Sequence, residues 1–104
     1  MFTLHELGDG PLTVVAAAGE IDATNADDFA ESVGALTGPR PVILELSGLQ
    51  YLDSAGFAAL DRLLAQGAVV LVVGPESPVL RAATLMELPF HRDAEAARRG
   101  LQQR

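Results

Sequence analysis

The sequence predicts an α/β domain: a small mixed sheet of four to five strands with about four helices packed against it. Three observations carry that expectation. The chain has 104 residues, 49% hydrophobic and 20% charged, a length and balance that bury enough surface to fold without staples. Two stretches, Pro41 to Leu46 and Ala68 to Val73, are nearly unbroken apolar runs, as expected of strands covered on both faces. Between and after them, apolar residues recur at helical spacing, giving the strand-helix-strand order of parallel neighbours.

The elements follow in order. Phe2, Leu4 and Leu7 mark a first short strand, and Gly8-Asp9-Gly10-Pro11 is a strong turn. Leu12 to Ala18 reads as a second strand, completing a hairpin. Gly19-Glu20-Ile21-Asp22 is read as a loop leading to a helix that Thr24 caps, with Asp27 in its first turn where the helix dipole favours it. Ala26, Phe29, Ala30, Val33 and Leu36 form that helix's apolar stripe, and Gly38-Pro39 stops it. After the strand at Pro41 to Leu46, Ser47 to Leu52 is read as a connection to Asp53-Ser54-Ala55-Gly56. Phe57, Leu60, Leu63 and Leu64 then make one helical face, ended by Gln66-Gly67. Beyond the strand at Ala68 to Val73, Ser77 is a candidate cap and Pro78 a candidate first helical position. Val79, Ala82, Ala83 and Met86 supply the stripe, and Leu88-Pro89 closes it. A last short helix from about Asp93 to Leu101 carries Ala94, Ala97 and Leu101 on one side. With no repeat, linker or low-complexity segment in view, one domain is expected to span residues 1–104.

Composition removes several function classes. There is no cysteine, hence no disulfide, thiolate nucleophile or cysteine-based zinc site, a usage that suits a reducing compartment. The net charge is −7, and the seven basic residues are arginines, scattered except for Arg98-Arg99 near the end. Direct nucleic-acid binding needs clustered positive charge to displace counterions and is not expected. Neither a secretion signal nor an apolar run long enough to span a bilayer is seen, so a soluble cytoplasmic protein without membrane contact is the expectation.

Familiar catalytic patterns fail. His5 and His91 sit in no metal-ligand spacing, and His5-Glu6-Leu7-Gly8-Asp9 is not a zinc-protease helix. Gly8-Asp9-Gly10 runs into a strand rather than a helix, and no phosphate loop ends in Lys-Ser or Lys-Thr. Ser54 lacks the Gly-x-Ser-x-Gly turn of a serine hydrolase, and nothing ties it to either histidine. No catalytic residue, metal ligand or cofactor is therefore expected.

The informative segment surrounds Ser54. Asp53-Ser54 precedes an amphipathic helix, so either side chain can accept from the free amides of the first turn. Two readings stay open at this point: one of the pair is only a cap, or Ser54 is a displayed hydroxyl at a helix start that tolerates a phosphate. Glu20 and Asp22 lie in the loop after the second strand, while Ser54 follows the third. If those strands pair in parallel, both segments emerge at one edge of the sheet.

These residues resemble the STAS domain, in particular the bacterial anti-sigma-factor antagonists. Gly19-Glu20-Ile21-Asp22 is similar to the family's Gly-Glu-(Ile/Leu)-Asp loop. Val42 to Leu46 followed by Tyr51-Leu52-Asp53-Ser54-Ala55-Gly56 resembles its buried strand and Asp-Ser-(Ser/Thr)-Gly phosphorylation segment. Val70 to Val73 and Ser77-Pro78-Val79-Leu80-Arg81 resemble its late strand and following helix. The resemblance implies a binding protein and not an enzyme. Unmodified, it would hold an anti-sigma factor with serine kinase activity and release the sigma factor; phosphorylation on Ser54 would reverse this, and a phosphatase would restore it. It further implies a partner surface of Glu20, Asp22, Asp53, Ser54, Ala55, Gly56 and Phe57 on a protein acting as a monomer. Ala55 departs from the usual second hydroxyl residue, Phe57-Ala58 stands where Leu-Gly is common, and Glu87-Leu88-Pro89 replaces a Gly-Leu turn.

Elementary electrostatics makes such a switch feasible. A phosphate adds about −1.5 to −2 charges near neutral pH. One added charge ~6 Å from a carboxylate is repelled by roughly 3 kcal/mol at an effective dielectric of 20, less after salt screening, and about 1.4 kcal/mol already changes affinity tenfold. The alternative reading is a non-switching STAS subunit of a signalling scaffold or lipid-transport complex. A small nucleotide-binding protein is a further reading without a phosphate loop behind it.

Overall fold

A computed structural model describes residues 1–7, 12–37 and 40–102. The element order is β1 (Phe2–Leu7), β2 (Val14–Ile21), α1 (Ala26–Leu36), β3 (Val42–Leu52), α2 (Ser54–Ala65), β4 (Val69–Val72), α3 (Leu80–Leu85) and α4 (Ala94–Gln102). The expected turn at Gly8–Pro11 and the helix stop at Gly38-Pro39 lie outside the described residues. The strands form one sheet in the order β1-β2-β3-β4, with β1 antiparallel to β2 and the other pairs parallel. His91 adds a fragment of a further strand: its N–H donates to the Leu71 carbonyl and its carbonyl accepts from the Val73 N–H, both at 2.9 Å. The four- to five-strand expectation resolves into four strands and this bridge.

Strand alternation sorts the core onto both faces of the sheet. Val42 and Leu44 join Val15, Ala17, Phe29, Leu60 and Ala83 in the main cluster. Ile43 between them joins Val14, Val72 and Ala97 in a smaller one. Helices α1, α2 and α3 thus cover one face, and α4 covers the other over β3 and β4. An aromatic pair extends the main cluster to the edge of the sheet, the Phe2 and Phe29 rings meeting edge to face at 5.4 Å.

Both strands that lead to the site are longer than their sequence suggests. β2 continues through Gly19, Glu20 and Ile21, which read locally as a loop, and β3 continues through Ser47 to Leu52, read as a connection. Each segment is held by the other: Ala18 pairs with Gly48, Glu20 with Tyr51 and Ile21 with Leu52, with register shifts after Ala16 and after Gly19. Those irregularities break the period-2 pattern that marks a strand in sequence. Gly19 has φ +104°, and a Cβ there would stand 2.4 Å from the Met1 carbonyl oxygen, so only glycine suits the bend.

Helix ends correct three further expectations. Asn25 rather than Thr24 occupies the N-cap of α1, without a side-chain capping bond. Helix α3 begins at Leu80, so Pro78 is not its first residue. Pro78 lies in a preceding turn, where the Ser77 hydroxyl accepts from the Val79 N–H at 3.3 Å. Met86, assigned to the apolar stripe, is half exposed beyond the end of α3 because the chain there turns away. That turn is a six-to-one closure, with the Leu88 N–H on the Ala83 carbonyl and the Glu87 N–H on Thr84, and it forces Glu87 to φ 57°. A residue with a Cβ is disfavoured there by about 1 kcal/mol or more. Glu87→Gly is accordingly expected to raise the unfolding free energy by about 1 kcal/mol; an unchanged or lower urea midpoint would contradict this reading of the turn.

Candidate partner-binding site

Parallel pairing of β2 with β3 brings their carboxyl ends together, and the two segments singled out in the sequence meet there. The Asp53 N–H donates to the Ile21 carbonyl at 3.2 Å. Asp53 also serves as the N-cap of α2: its Oδ1 accepts from the Gly56 N–H at 3.0 Å, and its carbonyl accepts from the Phe57 N–H. Its second oxygen, Oδ2, accepts from the Ala23 N–H at 3.2 Å, thirty positions earlier in the chain. The choice between Asp53 and Ser54 as cap is settled for Asp53. Ser54 is the first helical residue, exposed, in the turn where amides point outward.

The turn between β2 and α1 is bound into a shape of its own. The Asp22 Oδ1 accepts from both the backbone N–H and the hydroxyl of Thr24. The Asn25 Oδ1 accepts from the Asp22 N–H at 2.9 Å, and its Nδ2 donates to the Glu20 carbonyl at 3.0 Å. The Thr24 hydroxyl is the chief cause that holds the Asp22 carboxyl below its ordinary range. With the folded value depressed, this contribution to the turn is present above the unfolded value and is lost as pH falls through the folded one.

Of the seven expected partner-surface residues, Glu20 and Ser54 are exposed, while Asp22, Asp53 and Ala55 are half-buried at the same rim. Gly56 and Phe57 are corrected: both are buried. Phe57 is 5% exposed in the main core, and a Cβ on Gly56 would stand 2.4 Å from Leu52 Cδ1 and 3.2 Å from Ile21 Cγ2. They seat the start of α2 on the sheet from beneath. Two residues outside the expected partner surface also belong to the rim: Asn25, whose amide ties the turn, and Tyr51, 53% exposed and paired in register with Glu20. An Asn immediately before a helical stripe was the available signal for the first; its role inside the turn needs the pairing partner.

A hollow of about 540 Å³ lies elsewhere, between the edge of β4 and α4, lined in part by Val69, Phe90, His91 and Leu101. Among the described residues no group of three or more His, Cys, Asp or Glu is placed to hold a metal ion, and no helix is long and apolar enough to cross a membrane.

A four-stranded mixed sheet with helices on both faces, and polar turns gathered where two parallel strands end, defines a class of small α/β domain. The same fold is found in the crystal structure of an anti-sigma factor antagonist from Mycobacterium paratuberculosis, with a TM-score of 0.75 and 19% identity, covering 98% of this chain and 95% of that one. The STAS domain model matches residues 6–92, and the chain belongs to the STAS domain family.

Proposed function

We propose that this protein is an anti-sigma-factor antagonist whose unmodified form binds an anti-sigma factor with serine kinase activity, freeing the sigma factor, and whose phosphorylation on Ser54 ends that binding. The observation that carries the reading is the division of labour at the start of α2. Asp53 does the capping, so the exposed Ser54 hydroxyl stands beside the Asp22 turn with no capping duty. The partner kinase would move the γ-phosphoryl group of ATP onto the Ser54 oxygen, leaving ADP and releasing the hydroxyl proton. A phosphatase would hydrolyse the ester and restore the hydroxyl. The domain itself contributes a substrate hydroxyl and a contact surface of Glu20, Asp22, Asp53, Ser54 and Ala55, acting as a cytoplasmic monomer without a cofactor.

Release follows from charge. The added phosphate puts its charge next in sequence to Asp53, on the rim that also carries Asp22, and in a contact from which water is excluded like charges repel by several tenths to a few kcal/mol. Ser54→Asp is expected to weaken binding to the kinase-type anti-sigma factor at least about tenfold, while Ser54→Ala binds but gains no mass on incubation with that partner and ATP. Titration calorimetry and intact-protein mass measure the two outcomes. Equal affinity of Ser54→Asp and the parent would overturn the switch. Stable co-purification without any modification would support the constitutive subunit of a scaffold or lipid-transport complex instead.

A further inference from the structure

Asp53 commits its carboxylate oxygens to different segments, Oδ1 to the Gly56 N–H inside α2 and Oδ2 to the Ala23 N–H in the turn before α1. The other side-chain bonds of that turn, Asp22 to Thr24, Asn25 to Asp22 and Asn25 to Glu20, stay within the turn and its flanking strand. The Ala23–Asp53 bond is therefore the side-chain link between the turn that bears Asp22 and the residue preceding Ser54. We propose that Asp53 is a positioning residue that converts the charge on Ser54 into a change in how firmly the Asp22 turn is held. This rests on the reading of Ser54 as a phosphorylated residue and adds the route by which the rest of the surface responds.

The chemistry sets the order of events. A phosphate on Ser54 carries nearly two negative charges and competes for the outward amides of the first helical turn, Gly56 among them. It repels the neighbouring carboxylate, which cannot keep both bonds at unchanged strength. The Gly56 N–H can take a phosphate oxygen in place of Oδ1, and the displaced Asp53 carboxylate then loses the bond that fixes its orientation. Without that anchor, and repelled by the phosphate, the carboxylate holds the Ala23 N–H less firmly. The turn carrying Asp22 then loses its side-chain tie to the residue before Ser54, while the backbone bond from the Asp53 N–H to the Ile21 carbonyl stays, and the partner surface changes by position as well as by charge.

The test needs no kinase. Phosphoserine is installed at position 54 of the full chain during synthesis, and amide hydrogen exchange is followed by NMR at Ala23, with Leu60 in the core as reference. Exchange at Ala23 is expected to quicken about tenfold on phosphorylation, with Leu60 unchanged. Asp53→Asn keeps an acceptor for Gly56 but turns an amide donor toward Ala23, and Asp53→Ser keeps a capping oxygen without a second one. In both variants Ala23 is expected to exchange rapidly from the outset, with phosphoserine adding less than about twofold. A purely structural cap would not make the response to phosphoserine depend on Asp53. Unchanged exchange at Ala23 in the parent, or the same tenfold response in both variants, overturns the proposal. Because the phosphate is built in, failure here leaves the kinase and affinity assays standing. A Ser54 that no partner modifies would sink the switch without altering these exchange rates.

Discussion

Phe29→Ala is expected to lower the unfolding free energy by about 3–5 kcal/mol, the range for emptying a fully buried aromatic site. Phe29 is 0% exposed, lies on α1 between the sheet and its own helix layer, and holds the Phe2 ring at 90° to its own. Its loss leaves a cavity under the main cluster and removes the anchor that draws β1 onto the core. For a domain of this length the melting temperature should fall by roughly 15–30 °C. Phe29→Leu keeps most of the volume and gives up the ring contact, so its loss should stay near 1.5 kcal/mol. Urea unfolding of both variants separates the terms, and an alanine variant within about 1 kcal/mol of the parent would refute the packing assigned to this ring.

Gly19→Val should be the most damaging change outside the core, costing about 2–4 kcal/mol. The cause is backbone, not volume. At φ +104° an L residue is strained, and its Cβ would be driven to 2.4 Å from the Met1 carbonyl oxygen and 3.0 Å from the Phe2 Cα. The Met1 carbonyl accepts from the Glu20 N–H at 2.8 Å, so relieving the collision would break the bond that fastens the start of β1 beside the site. Because the offending atom is the Cβ, Gly19→Ala should carry most of the same penalty. An alanine variant within about 0.5 kcal/mol of the parent in chemical denaturation would show that β1 can move aside freely. Amide exchange along β1 should quicken in both variants well before global unfolding.

The helices were legible wherever burial is periodic. Ala26, Phe29 and Val33 line the inner face of α1, and Gly56, Phe57, Leu60 and Leu63 that of α2, because a helix packed on one side writes its spacing directly into the chain. The apolar runs were legible for a related reason: β3 and β4 are covered on both faces along their paired stretch. What failed were the strand extensions and the cap assignments. Gly48 and Gly19-Glu20 carry turn composition, yet they are strand because Gly48 pairs with Ala18, Gly19 with Leu49 and Glu20 with Tyr51 across a parallel register. Thr24 looked like the cap of α1, but its hydroxyl and N–H both go to Asp22, and the helix starts one residue later.

The serine at the start of an amphipathic helix and the acidic turn after the second strand were visible in the chain itself. Both depend on residue type at local spacing, and so does the family pattern that they compose. Only the folded molecule decided that Asp53 and not Ser54 takes the capping bond, that its other oxygen reaches Ala23, and that Gly56 and Phe57 lie beneath the rim rather than on it. Those outcomes turn on which of several equally capable donors and acceptors come within about 3 Å, and that is set by the register of β2 against β3, through contacts between residues some thirty positions apart.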